Sequence, residues 1–184
     1  RISFAPLAGN FAIARHGQPL IQTAEGGYSM RTELGNVVLV DGKGQKGDMA
    51  FAMGYPDVPY GGETIEEARL DSVTGAGLVR MQLAPAYDEL TSYSREWFFE
   101  PDGRMRLVDT IKAFAPHRFT WLFQTFQTNP ITASGKGQFE IRNGTTSLNL
   151  QLARSTTPLA DCVADTLTVW AYRNDQGDRG CHHL

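Results

Sequence analysis

A chain of 184 residues with 41% hydrophobic and 20% charged residues can bury a real core, which excludes a generally disordered protein. Its net charge of −3 leaves no basic surplus for a nucleic-acid backbone, and no window approaches the roughly 18 consecutive apolar residues of a membrane-spanning helix. The opening "RISFAPLAGNF" has neither an initiator Met nor the basic start and apolar run of a signal peptide, so it reads as a piece of something longer or a processed form.

The first element is "FAIARHGQPLIQTA" (11–24), whose alternation predicts a hairpin turning at His16-Gly17. In "LGNVVLVDGKGQKGD" (34–48), Val37 to Val40 run into an Asp-Gly corner and a Gly-Lys-Gly segment. As a phosphate loop this fails, because Lys43 is followed by Gly44 and Gln45 and no helix follows to present its N-terminus. A strand turning a tight glycine-rich corner is the simpler expectation. "GGETIEEARLDSV" (61–73) places Glu63, Glu66 and Glu67 where a helix N-terminus would favour them, but its apolar face is poor; a short helix and a loop fit equally.

"GAGLVRMQLA" (75–84) returns to the strand pattern. "REWFFEPDG" and "FTWLFQTFQT" carry Trp97, Phe98, Phe99, Phe119, Trp121, Phe123 and Phe126 on two segments suited to neighbouring strands. Most of these rings belong to a core, although an exposed Trp97 or Trp121 beside Arg95 or Arg118 would stack on a sugar ring. Between them, "GRMRLVDTI" (103–111) sets Met105, Leu107 and Asp109 against Arg104, Arg106 and Val108. "GQFEIRNGTTSLNLQLA" is the clearest hairpin: Phe139 and Ile141 lead to Asn143-Gly144, the pair favoured in a type I′ turn, and Leu148, Leu150 and Leu152 lead away. "DTLTVWAYR" (165–173) adds another strand.

Cys162 and Cys181 pair in an oxidising compartment or remain two thiols; the spacing permits both. The terminal "GCHHL" is expected to fray. With 19 Gly and 9 Pro breaking up the short runs, the natural architecture is all-β: one domain over 1–184, an antiparallel β-sandwich of two stacked sheets with Asn-Gly and glycine-rich hairpins and little helix.

Chemistry is harder to find. No Gly-x-Ser-x-Gly elbow is present, His16 and His117 have no partner that spacing suggests, and metal spacings are absent outside the terminal His182-His183 pair. His117, after Pro116, reads as a satisfied, partly buried histidine at the edge of an aromatic strand. The sequence therefore assigns no catalytic residue, no metal ligand and no cofactor.

The order of segments nevertheless resembles a known family. "GNFAIARHGQPLIQTAEGGY", then "GNVVLVDGKGQ", then "SREWFFEPDGRMRLVDTIKAFAPHRFTWLFQT" is similar to the C-terminal β-domain of heparinase II/III-like polysaccharide lyases over roughly residues 5 to 126, with matches at Asn36, Val40, Asp41, Gly42, Gly44, Gln45 and Val108-Asp109. The resemblance implies a β-sandwich joined to an (α/α) toroid, with acidic polysaccharide cleaved by β-elimination in the cleft between them. It also implies a periplasmic or secreted location. The family's metal and catalytic histidines do not carry over: the positions corresponding to them hold Ser3 to Leu7, Thr23 (or Glu25) and Gly35.

Two functional expectations follow. In the first, the chain is the non-catalytic β-domain of such a lyase, meeting an acidic polysaccharide or oligosaccharide through Asn36, Gln45, Trp97 and Trp121, with a toroid of the same protein as its partner. In the second, it is a stand-alone carbohydrate-binding or interaction module. Neither involves nucleic acid or a membrane.

Overall fold

The computed structural model describes residues 6–23, 31–48, 62–126, 128–152, 165–169 and 179–183. Its strands are β1 (Ile13–Arg15), β2 (Gln18–Ile21), β3 (Val38–Val40), β4 (Thr64–Leu70), β5 (Gly77–Gln82), β6 (Leu90–Phe99) and β7 (Met105–Ala113). They continue as β8 (Phe119–Trp121), β9 (Thr125–Phe126), β10 (Ile131–Gly135), β11 (Gln138–Asn143), β12 (Thr146–Gln151), β13 (Asp165–Val169) and β14 (Arg179–His183). Every pairing between these strands is antiparallel. The only helical turns among the described residues are two short 3-10 segments, Thr32–Leu34 and Ala84–Ala86. The protein is all-β and sandwich-like.

The largest sheet is the meander β4-β5-β6-β7. Alternation along β6 puts Tyr93, Arg95 and Trp97 on one buried face, with Ser94, Glu96 and Phe98 on the other. The two-stranded β3–β8 ribbon packs on the buried face: Val38 and Val40 join Leu83, Ala86, Tyr87, Leu90 and Tyr93, with Ile111, Phe119 and Trp121 at the margins. A second core lies between the β1–β2 hairpin and the β10-β11-β12 sheet, where Leu20 and Ile21 meet Ile141, Leu148 and Leu150. Phe11 touches both regions, its ring 4.6 Å from Trp97 and 5.9 Å from Phe123, each edge-on.

Four local readings change. The acidic 61–73 stretch forms neither helix nor loop at its centre but the edge strand β4. Pairing with β5 supplies its backbone partners, while Glu67 meets Arg80 at 3.1 Å and Glu66 meets Gln82 at 3.2 Å. Those charges, with a bulge between Ile65 and Glu67, mark a strand that must live at a sheet edge.

The two aromatic segments are not neighbours in one sheet: β6 lies between β5 and β7, whereas β8 pairs with β3. In the 138–152 hairpin, Asn143 pairs with Thr146, so the turn residues are Gly144-Thr145. Of that pair and Asn143, only Gly144 has positive φ (58°), which suits a type II′ turn better than I′. Asn143 is the last strand residue and donates its side-chain N–H to Pro19 O at 2.8 Å.

The terminal stretch joins a sheet over Arg179–His183, because Cys181 and His182 pair with Phe126 and Thr125 in β9 and the same strand pairs with β13 on its other side. Cys162 lies outside the described residues, as does the 170–173 end of the last expected strand.

Candidate functional site

The β3 strand and the corner after it gather a network of polar side chains. It begins with Asn36, fully buried just before the strand. Its backbone N–H donates to Asn10 Oδ1 at 2.7 Å and its Nδ2 to Phe11 O at 2.6 Å, while its Oδ1 accepts the Gln124 N–H at 2.6 Å. One amide thus ties three segments distant in sequence. Asn10 extends the clasp by donating Nδ2 to Thr23 Oγ1 at 2.5 Å.

Past the strand, Asp41 (φ 52°) and Gly42 (φ 75°) turn the chain back, closed by paired hydrogen bonds between Val40 and Lys43. Aspartate tolerates this left-handed conformation better than most residues because its short side chain finds local hydrogen-bond partners. Here both carboxylate oxygens are engaged across the ribbon: Oδ1 accepts the Arg118 N–H at 2.8 Å and Oδ2 lies 2.7 Å from His117 Nδ1. The His117 side-chain bond and the Arg118 N–H hold the Asp41 carboxyl below the usual aspartate range.

Gln45 then drops into the interior, only 3% exposed. Its side chain makes a two-point pairing with Ala8, accepting from the N–H and donating to the C=O, both at 2.8 Å; Nε2 also lies 3.1 Å from Tyr87 Oη. Tyr87 donates its O–H to Val38 O at 2.8 Å. Burial raises the Tyr87 phenol to about 12, the bond from Gln45 working against that shift. Thr32 closes the loop, accepting the Gln45 N–H on Oγ1 at 2.9 Å and donating its own N–H to Asp48 at 2.8 Å.

Beneath the corner sits an ion pair. Arg95 and Asp109, 1% and 5% exposed, form two parallel hydrogen bonds across β6 and β7 at 2.9 and 2.8 Å. Arg95 Nη1 also donates to Gly9 O and Asn36 O, and Trp121 Nε1 donates to Asp109 Oδ2 at 2.7 Å.

The four residues expected to meet a sugar are therefore placed inside or at the edge of the framework. Asn36 and Gln45 are enclosed, their amides spent on backbone groups. Trp97 is 8% exposed beneath Phe11, and Trp121 is partly buried with its indole N–H committed to Asp109. Neither tryptophan is exposed as a stacking platform.

What sequence reasoning missed is the partner of the corner's aspartate. Asp41 and His117, 76 positions apart, meet at the surface. The same loop carries Phe114, 75% exposed, whose N–H donates to Glu89 O at 3.1 Å. Lys43, 74% exposed along its side chain, reaches to 3.9 Å from Glu89 Oε1. Only the β3–β8 register brings the Asp-Gly corner and the 114–118 loop together, so no local signal announces the pair.

Among the described residues no group of three or more His, Cys, Asp or Glu side chains is gathered to hold a metal ion, and no helix is long and apolar enough to cross a membrane. The chain matches no protein-family model and no curated protein.

Proposed function

We propose that this chain is the β-sandwich domain of a heparinase II/III-like polysaccharide lyase, forming one wall of a cleft for acidic polysaccharide against an (α/α) toroid of the same protein. One observation carries the reading. Five of the positions at which the sequence resembles the family, Asn36, Asp41, Gly42, Gly44 and Gln45, are those from which the β3 corner is built. Gly44 belongs to the set because an added Cβ would lie 2.5 Å from Asp48 Oδ2 and closer still to Thr32 Oγ1. A motif serving as framework fits a domain that keeps its shape while the chemistry resides elsewhere.

In β-elimination a base removes the proton α to the uronate carboxylate, an acid protonates the leaving oxygen, and polar groups stabilise the enolate-like intermediate. In this reading the toroid supplies those groups and the present domain supplies shape and binding surface. A metal site of the family's kind does not fit the residues here. Gly35 offers no ligand, and a side chain there would run into Leu7 Cδ2 and lie 3.3 Å from Asn10 Oδ1. The Thr23 hydroxyl is engaged by Asn10, and neither Ser3 to Leu7 nor Glu25 supplies the imidazoles such a site needs. The implied location is periplasmic or secreted.

Incubating the complete polypeptide that carries this domain with uronate-containing polysaccharides tests the reading, through the ultraviolet absorbance of the unsaturated uronate product. Accumulation of that product supports it. A folded polypeptide that releases none from any such polysaccharide removes the lyase assignment and leaves a carbohydrate-binding module as the surviving alternative.

A further inference from the structure

Single exposed apolar residues are ordinary, but among the described residues half of the large ones gather at one edge of the four-stranded sheet: Ile65 and Leu70, 67% and 69% exposed, on β4, and Val73 on the turn after it. Strand register decides which way they face. Ile65, Ala68 and Leu70 stand opposite Met81, Val79 and Gly77, which in turn stand opposite Arg95, Trp97 and Phe99. The apolar side chains of β4 therefore continue the buried face of the sheet, out to its margin. Glu67 stands opposite Arg80, and Arg80 opposite Glu96, so Glu67 and Arg69 occupy the other face. Arg69 Nε lies 3.0 Å from Glu67 Oε1, on a side chain 71% exposed. Among the described residues only β5 pairs with β4, which leaves the outer row of β4 backbone N–H and C=O groups without a strand partner there.

We propose that β4 pairs antiparallel with β4 of a second copy of this chain, about a two-fold axis at Ala68, joining the two meanders into one continuous sheet. Charge selects this register. Keeping like faces together requires the axis to pass through a residue position. With the axis at Ala68, Glu67 of each copy stands opposite Arg69 of the other, and Ala68 meets its counterpart with little bulk between them. Moved one residue earlier, the axis sets Glu67 against Glu67; moved one residue later, it sets Arg69 against Arg69. Both are repelled. The bulge completes the fit. Glu66 is the residue it adds between Ile65 and Glu67, so Leu70 of the second copy meets Ile65 on the buried face. Charges and a bulge keep foreign strands off an edge, and here the same features admit one partner, the chain itself. The contact is isologous and closes as a dimer. It is independent of the polysaccharide-lyase reading.

The test is sedimentation equilibrium of the 184-residue protein from micromolar to sub-millimolar concentration, with Arg69→Glu, Glu67→Arg and an equimolar mixture of those two variants run beside it. Lys136→Glu, exposed on the turn between β10 and β11, makes the same change in net charge as Arg69→Glu and is the control. The wild type and the control are expected to reach the dimer mass. Each seam variant lines the contact with like charges and is expected to dimerise at least about tenfold more weakly. The mixture restores opposite charges at both pairs and should recover the dimer mass as a heterodimer, which loss of structure in either variant does not produce. Circular dichroism melting follows folding, because Glu67→Arg also gives up the 3.1 Å pair with Arg80. Where that variant does not fold, Arg69→Glu decides alone. A wild type that stays monomeric throughout overturns the proposal and leaves the edge to a different chain. A dimer that Arg69→Glu leaves at wild-type strength overturns it too, as does a mixture of two folded variants that fails to associate.

Discussion

Arg95 and Asp109 stand opposite each other on β6 and β7, joined by two parallel hydrogen bonds and almost wholly withdrawn from solvent. The pair organises more than two strands. Arg95 also holds the carbonyls of Gly9 and Asn36, and Asp109 holds the Trp121 indole, so the four-stranded sheet, the N-terminal loop, the Asn36 clasp and β8 share one electrostatic centre. Removing one partner of a buried pair leaves an uncompensated charge. Asp109→Ala is therefore expected to cost about 3–5 kcal/mol by urea denaturation. Arg95→Met combined with Asp109→Leu should recover only part of that loss, because two carbonyls and an indole N–H lose partners worth roughly 1 kcal/mol or more each. Full recovery in the double variant would show that those contacts contribute nothing.

Tyr87 gives an alkaline prediction. Its folded phenol titrates at about 12, above its ordinary value of 10.0, chiefly through burial. A group with a raised folded value contributes its full stability below the unfolded value and loses it as pH rises toward the folded one. Stability should fall between about pH 10 and 12, by roughly 2–3 kcal/mol from this residue alone. Tyr93 adds to the effect: burial raises its phenol as well, and among the described residues its hydroxyl has no hydrogen-bond partner. In an ultraviolet titration these two should ionise above the ordinary tyrosine range, and Tyr87→Phe should remove one of the late transitions. Early, uniform ionisation of all six would contradict the buried placement.

Asp41 acts at the other end of the scale. Its folded value is depressed by His117 and the Arg118 N–H, so the stability it contributes is present above the unfolded value and is lost as pH falls through the folded one. The loss belongs below about pH 4. Asp41→Asn should flatten that part of the acid profile while also weakening the fixed orientation of His117, which a two-dimensional spectrum of the imidazole would register. An unchanged acid profile would mean the exposed pair is too well screened to matter.

How much of this was legible beforehand depended on whether the signal was local. Alternation placed β5, β7, β11 and β12, because a half-buried strand writes its two faces into successive residues. It failed for β4, where an edge strand exposes nearly every side chain and its Glu residues imitate a helix start. It also failed for the Asn143-Gly144 turn, where the registers of β11 and β12 moved the corner one residue on. Asn36 and Gln45 were visible as motif positions, but nothing nearby in sequence reveals that their partners are Phe11, Ala8 and Gln124. The buried ion pair was half visible: Asp109 was a motif position sharing a strand face with Met105 and Leu107, and Arg95 needed the β6–β7 register to be recognised as its answer.

The two glycines of the corner separate conformational from steric need. Gly42 has φ of 75° with open space around it, so Gly42→Ala meets only backbone strain of about 1–2 kcal/mol. Gly44 has no such φ requirement but lies against Thr32 and Asp48, whose side chains hold the Gln45 and Thr32 N–H groups. Gly44→Ala must push that network apart and is expected to cost at least as much, about 1–3 kcal/mol. Combining Gly44→Ala with Thr32→Ser should relieve little, since Oγ1 is the atom nearest the new methyl and the serine keeps it.

Gln45→Glu is the sharpest test of whether the motif is framework or binding surface. The substitution keeps the length of the side chain and exchanges a donor for an acceptor directly opposite Ala8 O, now 2.8 Å from Nε2. In a site 3% exposed, the new carboxylate must be desolvated beside a carbonyl that repels it, and the Tyr87 hydroxyl cannot serve both it and Val38 O. A loss of roughly 2–4 kcal/mol is expected at neutral pH. Any variant that remains folded should bind an acidic oligosaccharide as the wild type does, because residue 45 is buried with its amide spent on Ala8 and Tyr87. A variant of unchanged stability with altered sugar affinity would instead put Gln45 at the substrate and require the corner to open.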